Sequence, residues 1–78
     1  MTRMESKDIT ILTNSITLDK FLKWAGIADS GGFAKQLIQN NQVYVNNVIE
    51  NRRSRTLHPG DIVCVQEHCY QVTVREHE

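Results

Sequence analysis

The sequence is poor in the residues that mark a stapled, membrane-bound or strongly charged chain. Its 78 residues include two cysteines, one proline and one tryptophan, and nine lysines and arginines are balanced by nine aspartates and glutamates. Two thiols are too few for a disulfide scaffold. In a reducing cytosol such a pair serves more often as small hydrophobes, so Cys64 and Cys69 are expected to be reduced, with Cys64 pointing into a sheet. No apolar stretch is long enough for a secretory signal or a membrane span, which predicts a soluble, cytoplasmic protein with no membrane contact. A net charge of zero excludes attraction to polyanions through bulk basicity, so any such site must come from uneven placement of charge. A core this small leaves little stability to spare for an enclosed pocket, which argues against an enzyme.

There is no internal repeat, low-complexity tract or linker, and the chain reads as one domain over residues 8–75 with flexible ends at 1–7 and 76–78. Residues 9–12 have the β-branched character of a short strand, and a polar turn follows. Thr17 then caps a helix in which Leu18, Phe21, Leu22 and Ala25 form one apolar stripe and Gly26 provides the stop. Ser30 caps a second helix, with Phe33, Ala34, Leu37 and Ile38 on one face and Lys35, Gln36 and Gln39 on the other, ended by Asn40 and Asn41.

From Gln42 onward the hydrophobic period changes to two. Val43 and Val45 flank Tyr44, Asn46 and Asn47 occupy a tight turn, and Val48 and Ile49 resume an extended segment. Pro59, Gly60 and Asp61 make another turn, and the apolar run at 62–65 suggests a strand buried on both faces. After a turn at Glu67 and His68, Tyr70, Val72 and Val74 alternate with polar neighbours in a last strand. The fold class is therefore α+β, a helix-turn-helix-like pair packed on a small, mainly antiparallel sheet.

Three chemistries fail on spacing. His58, Cys64, His68 and Cys69 crowd the C-terminal third without the paired short intervals of a zinc site, so no metal is expected. A cysteine–histidine hydrolase lacks an orienting third group and a closed pocket, and no catalytic residue is assigned. Gly31, Gly32 and Lys35 resemble a nucleotide loop only in composition, because Gly32 is followed by Phe33 and Ala34 and a helix precedes them. No cofactor is expected.

The order TLDKFLKWAGIADSGGFAKQLIQNNQVYVNN, a spacer with NRRSR, then LHPGDIV resembles the S-four RNA-binding domain, over roughly residues 16–65. The matching positions are Leu18 and Asp19, Leu22, Gly26, Ser30, the run from Ala34 to Ile38, Val43, Val45, Asn46, Gly60 and Asp61. The chain is most similar to the short stand-alone bacterial members. It departs from the family in having Gly31 where arginine often follows the serine, Asn47 where the turn often has glycine, and lysines where the first helix often has arginines. The resemblance implies an S-four-like fold, with structured RNA, ribosomal or tRNA-like, and a ribosomal particle as partners.

The residues make their own case beside it. Between positions 16 and 65, six cations face four anions, a modest excess, but Arg52, Arg53 and Arg55 are grouped. If the sheet edge packs beside the second helix, they join Lys35 in one stripe. Arginine's planar fork suits phosphate, while lysine acts as a point charge. The expected contact set is Lys20, Lys23, Ser30, Gly31, Lys35, Gln36, Asn46, Arg52, Arg53 and Arg55, on a monomer. Asn46 also suits the turn itself. Trp24 is expected in the core, with stacking on an unpaired base as the alternative. Gly31 and Gly32 either let a phosphate approach the helix start or permit tight packing against the first helix. The competing class is a protein-interaction module that uses the same helix face.

Overall fold

On the first helix, α1 (Leu18–Trp24), the residues Leu18, Phe21 and Leu22 recur at helical spacing, and all three are fully buried. The computed structural model describes residues 6–75. Gly26, at φ 77°, turns the chain after α1. The second helix, α2 (Gly31–Gln39), opens at Ser30, whose hydroxyl oxygen accepts from the Phe33 N–H at 3.2 Å. It buries Ala34, Leu37 and Ile38 and closes at Asn40 and Asn41, the latter at φ 59°.

Two aromatics expected on these apolar faces are outside the core. Trp24 is 52% exposed and Phe33 44% exposed. Each precedes a stripe residue by one position, which rotates it past the border of the stripe.

A five-stranded sheet lies against the helices in the order β1-β7-β6-β3-β4, formed by β1 (Ser6–Ile11), β3 (Val43–Val45), β4 (Val48–Ile49), β6 (Ile62–Val65) and β7 (His68–Val74). A smaller sheet pairs β2 (Ile16–Thr17) with β5 (Thr56–Leu57). All pairings are antiparallel except β1 with β7, so the mainly antiparallel α+β architecture is as expected. Strand β1 includes Ser6 and Lys7, which were expected in a flexible N-terminus at 1–7; the rest of that segment, 1–5, and the expected flexible end at 76–78 lie outside the described residues. Val43, Val45, Val63, Val65, Val72 and Ile11 bring one sheet face to the helices, with Leu57 closing the core.

The period of two continues through β6, which corrects the expectation of a strand buried on both faces. Val63 and Val65 are buried, whereas Ile62 and Cys64 between them are only partly covered. The turn joining β6 to β7 sits at Gln66 and Glu67, with φ of 52° and 72°, one residue earlier than expected. That register sets Cys64 directly opposite Cys69, with Cα atoms 4.0 Å apart, and the two form a disulfide. In a two-residue hairpin this second pair is the non-hydrogen-bonded kind, where side chains approach most closely. The expectation of two reduced thiols is thereby corrected, and Cys64 faces away from the core.

Candidate functional site

The segment between β4 and β5 carries Glu50, Arg52, Arg53 and Arg55, and the carboxylate organises it. Glu50 is 7% exposed. It accepts from Arg52 Nε at 2.9 Å, Arg52 Nη2 at 3.4 Å, the Arg52 backbone N–H at 3.2 Å and Arg55 Nη1 at 2.7 Å. The hydrogen bonds from Arg52, helped by Arg55, outweigh burial and hold the Glu50 pKa down at about 2, from an ordinary 4.5. Sequence reasoning counted Glu50 as one charge to subtract from the patch. The available signal was its spacing, two and five residues ahead of Arg52 and Arg55.

Held this way, the loop closes the start of α1. The Leu18 N–H donates to the Arg55 carbonyl at 2.8 Å and the Asp19 N–H to the Arg53 carbonyl at 3.2 Å. These carbonyls do what the Thr17 side chain was expected to do. Thr17 stands at the N-cap position, but its hydroxyl donates to Asp19 Oδ1 at 2.7 Å. Asp19 Oδ1 also accepts from the Lys20 N–H at 2.8 Å, so this carboxylate is engaged by the helix start.

Docking on α1 fixes which cations meet. Thr17, Asp19, Lys20, Arg52, Arg53 and Ser54 line an open groove of about 430 Å³. Both ion pairs among the described residues belong to Glu50, leaving Arg53 exposed with no acidic partner among those residues. The Arg52 side chain remains 68% exposed despite its pairing; that of Arg55 is 32% exposed. The single stripe of arginines with Lys35 does not form along this groove: the loop is tied to α1, and Lys20 takes the place expected for Lys35.

Along α1 the surface continues into a second groove lined by Ile16, Lys20, Lys23 and Trp24. Ser30, Gly31, Lys35 and Gln36 form a separate exposed group on α2, with Lys35 one turn beyond Gly31. A Cβ placed on Gly31 meets nothing within 4 Å, and one on Gly32 meets only Ser30 Oγ at 3.9 Å. Neither glycine is needed for close packing against α1, which removes one of the two expected reasons for the pair. Asn46 stands apart at the β3–β4 turn, with Asn46 and Asn47 at φ 53° and 72°. Its amide donates to Asp61 Oδ1 at 3.1 Å and accepts from the Ile62 N–H at 3.0 Å, so the turn and the neighbouring strand use both ends.

Residues 9–73 match the family model described as the S4 domain. The chain is 45% identical over 58 residues to a protein of Bacillus subtilis (strain 168) described as the probable ribosome maturation protein RlbA, covering 74% of this chain and 82% of that one. Among solved structures it is similar to the 30S ribosomal protein S4e from Thermoplasma acidophilum, with a TM-score of 0.59 and 17% identity. That likeness concerns the fold, and covers 76% of this chain and 31% of that one.

Proposed function

The chain belongs to the S4 domain family, and on that premise we propose that it is a non-catalytic module that binds structured RNA, ribosomal RNA or a ribosomal particle under assembly. The observation that carries this reading is the meeting of Arg53 and Lys20 across one open groove, with Arg53 left without an acidic partner among the described residues. An exposed guanidinium and an ammonium at the same groove fit successive phosphates of a folded RNA backbone. Arg52 adds its outward edge, while Arg55 acts through Glu50 by holding the loop in shape.

The head of α2 supplies a second contact. Its first N–H groups have no acceptor within the helix, and the open surroundings of Gly31 and Gly32 let a phosphate come close. Lys35 and Gln36 lie one turn further on. Such a protein works in the cytoplasm, as a monomer, reading RNA by shape more than by sequence. The similarity to a probable ribosome maturation protein supports ribosomal RNA as the first substrate to try.

Titration of a fluorescent ribosomal RNA fragment at two salt concentrations tests the reading. Wild-type affinity is expected to fall steeply with salt, and Arg53→Ala and Lys20→Ala each to flatten the logarithmic salt slope by about 0.7–0.9. Affinity indifferent both to salt and to these substitutions would favour a protein-interaction module instead.

A further inference from the structure

Tryptophan carries one of the largest apolar surfaces of any side chain, and the only one in this chain is 52% exposed. Its position is fixed all the same. Trp24 Nε1 donates to the Thr10 carbonyl at 2.8 Å, which pins the indole against β1 and consumes its only polar hydrogen. What remains for a ligand is ring surface.

That surface lies in company suited to nucleic acid. Lys20 and Lys23, three apart on α1 and therefore on neighbouring positions of the helix, line the groove of about 530 Å³ together with Trp24 and Ile16, and no acidic side chain lines it. Lys20 lines the Arg53 groove as well, so the two grooves share a wall. A backbone whose phosphates rest on Arg53 and Lys20 thus passes the indole next. An apolar partner protein or a small apolar ligand gains nothing from two flanking ammonium groups, whereas a nucleotide uses the ring and the cations together.

We propose that the Ile16, Lys20, Lys23 and Trp24 shelf holds one unpaired base of the bound RNA, stacked on the exposed indole, with its flanking phosphates on Lys20 and Lys23. This rests on the RNA-binding reading and deepens it: the preferred RNA is a helix interrupted by a bulged or looped-out nucleotide. A fully paired duplex uses the Arg53 groove alone.

Because Trp24 is the sole tryptophan, its emission reports on this shelf directly. The probes are a short RNA hairpin with one bulged base and the same hairpin fully paired, with affinity read independently by anisotropy of an end label. The bulged RNA is expected to quench Trp24 and to bind more tightly than the paired one. Trp24→Leu, which keeps apolar bulk without a ring, is expected to lose about tenfold in affinity for the bulged RNA and nothing for the paired RNA, and Trp24→Phe to retain most of the preference. Thermal melts of both variants guard against misfolding, and Phe, which loses the bond to Thr10 but keeps a ring, separates stacking from anchoring. If both RNAs bind equally, emission is unmoved and Trp24→Leu is neutral, stacking is overturned and RNA binding stands. If neither RNA binds at low salt, the RNA-binding reading falls and this inference falls with it.

Discussion

Helix α1 begins beneath the arginine loop, with its Leu18 and Asp19 N–H groups taken up by the Arg55 and Arg53 carbonyls, whereas α2 begins at Ser30 with two glycines and open space around them. The first start also carries an acid, Asp19, in its opening turn; the second carries none. A helix start has partial positive charge and spare donors, and a protein either fills them itself or leaves them to solvent and ligands. Here the filled start is used to position cations: the same loop that caps α1 carries Arg53 up to Lys20. The open start offers its own backbone.

The largest effect on this contrast is expected from opening the filled end. Glu50→Gln leaves Arg52 and Arg55 facing a neutral amide whose NH₂ cannot accept from them, and loosens the carbonyls over α1. The expected cost is about 2 kcal/mol, or a melting temperature lower by about 10 °C in circular dichroism. The variant should also change the response to acid. With its pKa lowered to about 2 from 4.5, the Glu50 carboxylate contributes stability that is complete above the ordinary value and is lost as pH falls through that interval. Denaturant melts between pH 6 and pH 2 should show that share of the decline in the wild type and lack it in Glu50→Gln. Equal slopes would mean that the carboxylate clamp does not hold the fold.

Ser30→Ala sharpens the contrast from the other side, because α2 has a single side-chain cap where α1 has two backbone carbonyls. A loss of about 1 kcal/mol in urea unfolding is expected, smaller than for Glu50→Gln. The smallest change in stability is expected from Gly31→Arg, since its side chain enters open space. The gain in helix propensity is offset by a cation at the positive helix end, and the net should stay within about 0.5 kcal/mol of zero. RNA titration of the same variant should give a salt slope steeper by about 0.7–0.9, the increment of one more phosphate contact. A clear fall in melting temperature would instead return the glycines to a packing role.

How much of this was legible depended on whether the determining signal was local. The α1 stripe, the α2 stripe with Ser30, the Gly26 stop and the turn at Asn46 and Asn47 all follow from spacing and from residues that tolerate their backbone angles. Gln66 and Glu67 adopt the same left-handed pair of angles as Asn46 and Asn47 without being residues that favour them, so the local signal misplaced that turn by one. The error hid the disulfide. A turn centred one residue later slides the pairing by two, which puts Cys64 opposite Gln71, and only the observed register brings the sulfurs together. Glu50 was missed for a different reason: its spacing to Arg52 and Arg55 was in the sequence, but only the folded loop shows that both guanidinium groups turn back onto the one carboxylate. Trp24 was assigned to the core on size and Phe33 to the apolar face of its helix on spacing, although both are largely exposed at the border of their stripes.

Strand β1 is the first described strand in the chain and β7 the last, yet they pair in parallel along six residues, with the Thr10 and Thr73 hydroxyls 3.1 Å apart across a separation of 63 residues. During synthesis β1 therefore leaves the ribosome before its partner strand has been made, and Ile9 and Ile11 stay in an unpaired segment until β7 follows. Pairing β1 with β7 joins residues 63 apart in the sequence, so folding should run more slowly than two short helices and tight hairpins would suggest. A nascent chain that stops short of β7 keeps its helices' sequence intact and still lacks the strand that seats its own beginning.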